Sequence, residues 1–260
     1  MIIGYDIDNY NGECESGIFS ATSEYAYRII GVFKDVDGNS NDKYYVKLIK
    51  ATSYTGGGSK VQWDADDSNA YANSELFSAT LNGTNESYLA TLTANKWNEP
   101  NNSYIAQPVW NVGGCSYADC RGTAKTAYTA EMIGTGKNNH TVRGTTYSGT
   151  NNTNKIGLMY VNDYAYATTS NYWTTELVTY NSEAANQDWL KLGSNEWTIS
   201  RTAGNFYLVF VEAGFVSGWG ATCSYAARPV LYLSSNVKID IDNMSDSNMG
   251  TISNPYRITM

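Results

Sequence analysis

Two strand-like segments near the amino terminus are separated by a run of turn residues. Residues 26–33 (AYRIIGVF) and 43–50 (KYYVKLIK) mix aromatic and β-branched residues with polar ones, a pattern typical of strands. The intervening DVDGNSND is rich in Asp, Asn and Gly, which favour tight turns because they tolerate a positive φ. Together these segments predict a β-hairpin.

The middle of the chain shows short stretches of helical periodicity. Apolar residues recur at helical spacing over 74–81, 87–96 and 123–133, which predicts short helices. Residues 134–154 are rich in Gly, Asn and Thr and show no periodicity. We therefore expect a long loop there.

Predicted strands dominate the carboxy-terminal part of the chain. The apolar run at 155–161 (KIGLMYV) predicts a buried strand, and Asn162–Asp163–Tyr164 predicts a turn after it. We expect Ala213–Gly214 to connect the two strands of a hairpin. Further strands are predicted at 196–201, 206–212, 215–223 and 227–233.

This order of elements predicts an α+β domain in which short helices lie between strands from both ends of the chain. We expect the first and last strands to pair in one sheet. A chain of 260 residues buries enough apolar surface to fold without a metal, and no linker or internal repeat is evident. We therefore expect residues 1–260 to form a single domain with loop insertions.

Composition narrows the class of partner. Charged residues make up 16% of the chain and aromatic residues 13%, with 22 tyrosines and a formal net charge of -8. An acidic chain without a cluster of Lys or Arg argues against a nucleic-acid partner. No apolar run reaches the roughly 18 residues of a membrane span, so we expect no membrane insertion. Tyr, Ser, Gly and Asn suit recognition surfaces, although the polar loops of any secreted protein have a similar composition.

The cysteines and the amino terminus indicate an extracellular protein. Cys115 and Cys120 are close enough in sequence to close a short loop, whereas Cys14 and Cys223 could join the two ends of the domain. Disulfides persist in oxidising compartments. The first residues lack the basic and apolar regions of a signal peptide, so we expect a targeting or anchoring segment upstream of Met1.

Candidate metal and catalytic motifs are incomplete. His140 is the single histidine, so we expect neither a zinc site nor a well-placed general base. Asp35 and the acidic and amide residues after it resemble a calcium loop, but its twelfth position would be Val46, which offers no carboxylate. We expect no enzyme activity and no cofactor, with calcium as the open alternative.

Several segments of the chain resemble those of a known group of proteins. They are YRIIGVF at 27–33, PVWNVGG at 108–114, KIGLMYVNDYAYAT at 155–168, EWTISR at 196–201, ARPVLYLSSNVKI at 227–239 and GTISNPYRI at 250–258. The chain resembles the C-type-lectin-like domains of surface and pilin-like proteins of gut Firmicutes. More distantly, it is similar to the variable proteins of diversity-generating retroelements. The resemblance implies a C-type-lectin-like fold with a ligand-binding face.

By this resemblance, Trp197, Thr198 and Arg228–Leu233 belong to the scaffold and Gly214 turns a hairpin. The binding face would consist of side chains that lie between these positions. The residues so assigned are Arg201, Asn205, Tyr207, Glu212, Phe215, Ser217, Trp219, Thr222 and Tyr225.

The sequence thus predicts an extracellular ligand-binding domain, adhesin-like, of a bacterial surface or pilus-associated protein. We expect its ligand to be a surface protein or a glycan, because Trp and Tyr rings stack well on sugars. Trp173, Trp189 and Trp219 could stack on a sugar or lie in the core. We expect Trp189, which precedes Leu190, to be buried and Trp219, between two glycines, to be exposed. A retroelement-diversified receptor is a variant of this hypothesis, and a structural pilus or surface-layer subunit without its own ligand is the alternative.

Overall fold

The computed structural model describes most of the chain between residues 27 and 239, and the fold is reported for the described residues. These are 27–39, 41–54, 60–71, 74–94, 97–99, 103–134, 140–142, 145–147, 150–152, 154–203, 206–212, 214–239 and 258–259.

Short strands and short helices alternate along the chain. The strands are β1 (Tyr27–Lys34), β2 (Tyr44–Lys50), β3 (Val61–Gln62), β4 (Trp110–Asn111), β5 (His140–Val142), β6 (Thr145–Tyr147), β7 (Thr150–Asn152), β8 (Glu196–Arg201), β9 (Leu208–Glu212), β10 (Phe215–Trp219), β11 (Ser224–Tyr225), β12 (Val230–Tyr232), β13 (Lys238–Ile239) and β14 (Ile258–Thr259). The α-helices are α1 (Tyr88–Ala94), α2 (Ala124–Tyr128), α3 (Val161–Tyr166) and α4 (Ser182–Gln187). Turns of π-helix span Leu76–Leu81 and Thr129–Ile133, and turns of 3₁₀-helix span Asp119–Arg121 and Ser170–Tyr172. The predicted α+β class is confirmed.

The amino-terminal hairpin and a carboxy-terminal strand form one antiparallel sheet. β1 pairs with one edge of β2, and β12 pairs with the other edge. Leu231 of β12 lies opposite Leu48 of β2, and both side chains are fully buried. The predicted hairpin is therefore confirmed. Strands from the two ends of the chain share a sheet, but β12 pairs with β2 and not, as expected, with the first strand, β1.

A second antiparallel sheet contains β8, β9 and β10, which are three of the four strands predicted in the carboxy-terminal part of the chain. The fourth, β12, belongs to the first sheet. Every residue of β8 is buried. On one side, Trp197 packs against Trp63 and Phe210, with ring centroids 6.1 and 6.2 Å apart. On the other side, α3 packs against β8 and β9. Both faces of β8 are therefore covered.

The expected loop at 134–154 contains strands instead, so that prediction was wrong. Within it, β5 pairs with β6 and β7 pairs with β4. Thr is β-branched and favours strands, and it recurs through this segment together with the Gly and Asn that suggested a loop. Hydrogen bonding between neighbouring strands outweighs the absence of a periodic apolar pattern here.

The segment 155–161 is buried as predicted, but it forms a single β-bridge, at Gly157, rather than a strand. A Cβ atom at Gly157 would lie 2.7 Å from the ring of Trp110, so the backbone runs directly across the indole. The turn predicted at Asn162–Asp163–Tyr164 lies inside α3. The strand prediction was therefore wrong, and the turn prediction was wrong because Asp163 caps a helix that begins directly after Tyr160.

The amino terminus of α3 is buried and its backbone donors are satisfied by two carboxylates. Asp163 Oδ2 accepts a hydrogen bond from the N–H of Tyr160 at 2.8 Å. Glu131 accepts from the N–H groups of Val161 and Asn162 at 3.1 and 2.9 Å. The first backbone N–H groups of a helix have no partner within it, so these carboxylates make a buried helix start possible here. Burial raises the pKa of Glu131, and these hydrogen bonds oppose the rise.

Two buried ion pairs connect the helix and the strands. Lys47 of β2 contacts Asp163 at the start of α3 at 2.5 Å. Arg228, just before β12, contacts Glu196 of β8 at 2.5 Å and also donates to the carbonyl of Leu190. Burying a charge is tolerated when it is paired, so each pair fixes two distant segments in one arrangement.

Replacing Glu131 with Ala should lower the free energy of unfolding by about 3 kcal/mol, because two buried donors of Asn162 lose their acceptor. In the wild type, the backbone N and the Nδ2 of Asn162 lie 2.9 and 2.7 Å from Oε2 of Glu131. Urea unfolding followed by tryptophan fluorescence measures the change. Glu183→Ala removes an exposed carboxylate and should cost less than about 1 kcal/mol. Equal losses in the two variants would contradict this account of α3.

Candidate functional site

A glycine turn holds the β9–β10 hairpin against the helical part of the structure. Glu212 and Phe215 face each other at the turn. Gly214 has a φ of 118°, which residues with a side chain rarely adopt. A Cβ atom there would lie 2.6 Å from Ala185 and 2.8 Å from the ring of Tyr180. The hairpin tip therefore packs tightly, and Gly214 occupies the turn that the sequence assigned to it.

Side chains of β10 alternate between the interior and the surface. Val216 and Gly218 are buried, whereas Phe215 and Ser217 are half-buried and Trp219 is 60% exposed. Successive side chains of a strand point to opposite faces, so Phe215, Ser217 and Trp219 share one face. We call these three residues the outer row.

Tyr117 and Arg121 support the hairpin from the other side. A Cβ atom at Gly218 would lie 2.6 Å from the ring of Tyr117, and the Arg121 guanidinium lies 4.2 Å from the same ring. Arg121 Nε also donates to the carbonyl of Val216 at 3.1 Å. Tyr117 in turn packs against Tyr207 at 5.9 Å. The sequence analysis missed both supporting residues because they lie far from the hairpin along the chain.

The residues assigned to the binding face do not form one surface. Arg201 is 1% exposed and its Nη1 donates to the carbonyl of Asn69 at 3.1 Å, so its assignment was wrong. Its burial follows from the covering of both faces of β8. Asn205 lies outside the described residues. Trp219 and Thr222 are exposed, and the half-buried members are Tyr207, Glu212, Phe215, Ser217 and Tyr225.

Tyr225 belongs mainly to the scaffold. Its ring centroid lies 4.5 Å from that of Trp197 and 4.4 Å from that of Phe210. Burial, together with the neighbouring Cys223 thiol, raises the pKa of Tyr225 to about 12. The phenol is therefore neutral at physiological pH, and a change at Tyr225 would disturb the core as well as the surface.

A solvent-open pocket lies beside the hairpin turn. Its walls combine aromatic rings, hydroxyl groups and carboxylates. The polar and aromatic residues among them are Tyr164, Thr168, Tyr172, Thr175, Glu176, Thr179, Asn181 and Asp188. The walls of this pocket come from separate short helices, so no local sequence pattern reveals that they meet at Gly214.

Asp188 is the most perturbed acid of the pocket wall. Its Oδ1 accepts a hydrogen bond from the N–H of Leu190 at 2.8 Å. Burial raises the pKa of Asp188 to about 7, although that hydrogen bond and the Arg228 guanidinium act in the opposite direction. The carboxyl therefore changes its protonation near neutral pH, which gives the pocket a pH-dependent charge.

Two further tryptophans lie at the surface near the pocket. Trp173 and Trp189 are each 39% exposed, so the prediction that Trp189 is buried was wrong. Trp173 Nε1 donates to the carbonyl of Thr168, a pocket residue, at 3.1 Å. Its ring also meets Tyr166 edge-on at 5.0 Å. Together with Trp219, these rings are available for contact with a ligand.

One of the two suggested cysteine pairs can be assessed. Cys115 and Cys120 form a disulfide with their Cα atoms 5.7 Å apart. Cys223 is half-buried and has no disulfide partner among the described residues, and Cys14 lies outside them.

The Asp-rich segment after β1 is a turn. Asp35 has a φ of 51°, and its Oδ1 accepts from the N–H of Lys43 at 3.1 Å, so its carboxylate closes the hairpin. Among the described residues, no group of three or more His, Cys, Asp or Glu side chains is placed to hold a metal ion. His140 lies in β5.

Comparisons of the chain with protein-family models, with curated proteins and with solved structures find no match. Of the helices in the described ranges, none is long and apolar enough to cross a membrane. The interpretation of the site therefore depends on the geometry of its own residues.

Asp188→Asn should reduce the dependence of stability on pH. The pKa of Asp188 is raised to about 7, so its protonated form favours the folded state, and this contribution is lost as the pH rises through about 7. Between about pH 5 and about pH 8 the wild type should lose on the order of 2 kcal/mol that the variant retains. Asn keeps an oxygen for the N–H of Leu190. Urea unfolding across this range measures the difference.

The control for this experiment is Glu183→Gln, which neutralises an exposed carboxyl of α4. This variant should follow the wild-type profile. If Asp188→Asn also follows it, Asp188 does not titrate as described.

Proposed function

We propose that the protein is an extracellular ligand-binding domain of a bacterial surface or pilus-associated protein, and that the outer row of β10 binds a surface protein or a glycan. The observation that carries the proposal is the 60% exposure of Trp219 at the end of a strand whose alternate residues are buried. We also propose that the protein is not an enzyme and has no cofactor.

The outer row continues into a larger aromatic surface. Phe215 meets Tyr180 edge-on, with ring centroids 6.5 Å apart, and Tyr180 is 59% exposed. Contiguous exposed apolar surface is typical of interaction sites. Aromatic faces stack on the apolar faces of sugars and fill pockets of protein partners, so this surface suits both ligand classes.

The frame beneath the outer row is stiff. β10 pairs with β9 along its length, and its opposite edge is fixed by the hydrogen bond from the N–H of Val216 to the carbonyl of Leu177 at 2.7 Å. A preorganised surface loses little conformational entropy when a ligand binds. The hairpin is therefore better suited to recognition than a mobile loop would be.

We propose a C-type-lectin-like fold for this frame. Trp197 and Thr198 are buried in β8, and Arg228–Leu233 are buried around β12, where the resemblance assigns scaffold. The shared sheet of β2 and β12 supports the same fold. In a retroelement-diversified receptor, which is a variant of this proposal, the variable positions would lie on the outer row.

A structural pilus or surface-layer subunit is the second candidate. Within the described ranges, β2 is the one strand that pairs with β1, and Val32 of β1 is 61% exposed. An open strand edge can pair with a strand of another chain. Polymers formed by strand addition would favour this alternative.

Trp219→Ala should weaken ligand binding by about tenfold or more, because an exposed aromatic anchor loses its contact area. Arrays of bacterial and host glycans and surface proteins identify a ligand for the wild-type chain, and titration of that ligand gives the two dissociation constants. Tyr225 is kept unchanged, since its packing on Trp197 would confuse binding with folding.

Tyr44→Ala provides a matched control, because Tyr44 is an equally exposed aromatic residue, at 61%, on the other sheet. It should bind like the wild type, and both variants should unfold at the wild-type urea concentration. Undiminished binding by Trp219→Ala would refute the proposed surface.

A further inference from the structure

The cations of the two buried ion pairs, Arg228 and Lys47, differ in the hydrogen bonds that they make. Arg228 contacts both oxygens of Glu196, at 2.5 and 2.9 Å, and donates to a backbone carbonyl as well. Lys47 Nζ contacts Asp163 Oδ2 at 2.5 Å, which is its one hydrogen bond to the described residues. An ammonium group has three donors. Two of the Lys47 donors therefore find no oxygen acceptor in the described part of the structure.

Aromatic rings enclose the Lys47 amine instead. Nζ lies 4.7, 5.4 and 5.7 Å from the ring centroids of Tyr160, Phe33 and Tyr232. The side chains of Lys47 and Asp163 are 1% and 4% exposed, so water is excluded from both. Separating a full ammonium and a full carboxylate from water is unfavourable, whereas a neutral amide has a single N–H donor and suits an apolar enclosure.

From this contrast, we propose that Lys47 and Asp163 form an intramolecular isopeptide bond. The inference concerns the frame and goes beyond the proposed ligand binding. The Glu196–Arg228 pair cannot react in this way, because a guanidinium is not deprotonated in proteins. Its two contacts with the Glu196 carboxylate are those of a permanent ion pair.

The reaction needs no further reagent. A proton passes from the Lys47 ammonium to Oδ1 of Asp163, which gives a neutral amine and a neutral acid. The Nζ lone pair then attacks Cγ, and the C–Oδ1 bond breaks. Oδ1 leaves with a second proton from Nζ as water, so ammonium and carboxylate become one amide and one water molecule without any change of oxidation state.

The surroundings favour this reaction. The N–H of Tyr160 donates to Asp163 Oδ2 at 2.8 Å and would stabilise negative charge on that oxygen as Nζ attacks. Holding two reactants in contact replaces a bimolecular encounter, and a dry site hinders the reverse hydrolysis. The product would keep Oδ2 as the amide carbonyl and would retain the Tyr160 hydrogen bond that caps α3.

The bond would join segments that are far apart in the chain. Lys47 and Asp163 are 116 residues apart, and they belong to β2 and to α3. A covalent link between them limits the freedom of the unfolded chain and keeps the sheet attached to the helix under force or proteolysis. Such a link would suit a domain displayed outside the cell.

Mass spectrometry of the full chain tests this proposal. After reduction of the disulfide, the wild type should be lighter than the mass of its sequence by one water molecule, and Lys47→Arg should not. The arginine keeps a cation beside Asp163 but provides no reactive amine. Lys47→Met serves as a second variant, because its apolar side chain suits the aromatic enclosure.

Tryptic digestion should leave residues 44–50 attached to residues 156–191 in the wild type, since acylated Lys47 is not cleaved and no other Lys or Arg interrupts these peptides. A wild-type mass equal to that of the sequence would overturn the proposal. A loss of water that persists in both variants would also overturn it, because the dehydration would then lie elsewhere.

Discussion

The buried start of α3 is the constraint on which the rest of the structure depends. Glu131 accepts from the N–H of Val161 and from the hydroxyl of Ser200 in β8, and Asp163 pairs with Lys47 in β2. A helix start removed from water needs acceptors for its free N–H groups. Glu131 contacts β8 and Asp163 contacts β2. The carboxylates that accept from the start of α3 therefore also fix the positions of the two three-stranded sheets relative to this helix.

The candidate site inherits its shape from this arrangement. Once β8 is fixed, β9 and β10 follow by antiparallel pairing, and the hairpin can turn only where Gly214 fits against Ala185 of α4. Tyr164, on α3 itself, lines the pocket that opens beside this turn, as does Asp188 after α4. The outer row and the pocket are thus two surfaces of one packed unit rather than separate loops.

Local patterns predicted two hairpins, but they missed the β5–β6 hairpin and failed where distant contacts decide. The β1–β2 hairpin and the β9–β10 hairpin have turn residues of their own between their strands. The sequence pattern predicts a turn at Asp163, whereas its contacts with Lys47 and with the N–H of Tyr160 place it at the start of a helix. Arg201 could not be assigned a face from the sequence, because a strand that is buried on both sides shows no alternation. No local sequence pattern predicts the pocket.

The proposed recognition surface differs in charge from the chain as a whole. The formal net charge is -8, yet Phe215, Ser217 and Trp219 carry none, and Glu212 is the charged residue opposite their first member. Contact through such a row would depend on stacking and neutral hydrogen bonds, which salt screens little. Each contact of this kind contributes modestly, so useful avidity requires many copies side by side. Display of a stiff domain in multiple copies on a surface or a pilus would satisfy that requirement without enlarging the site.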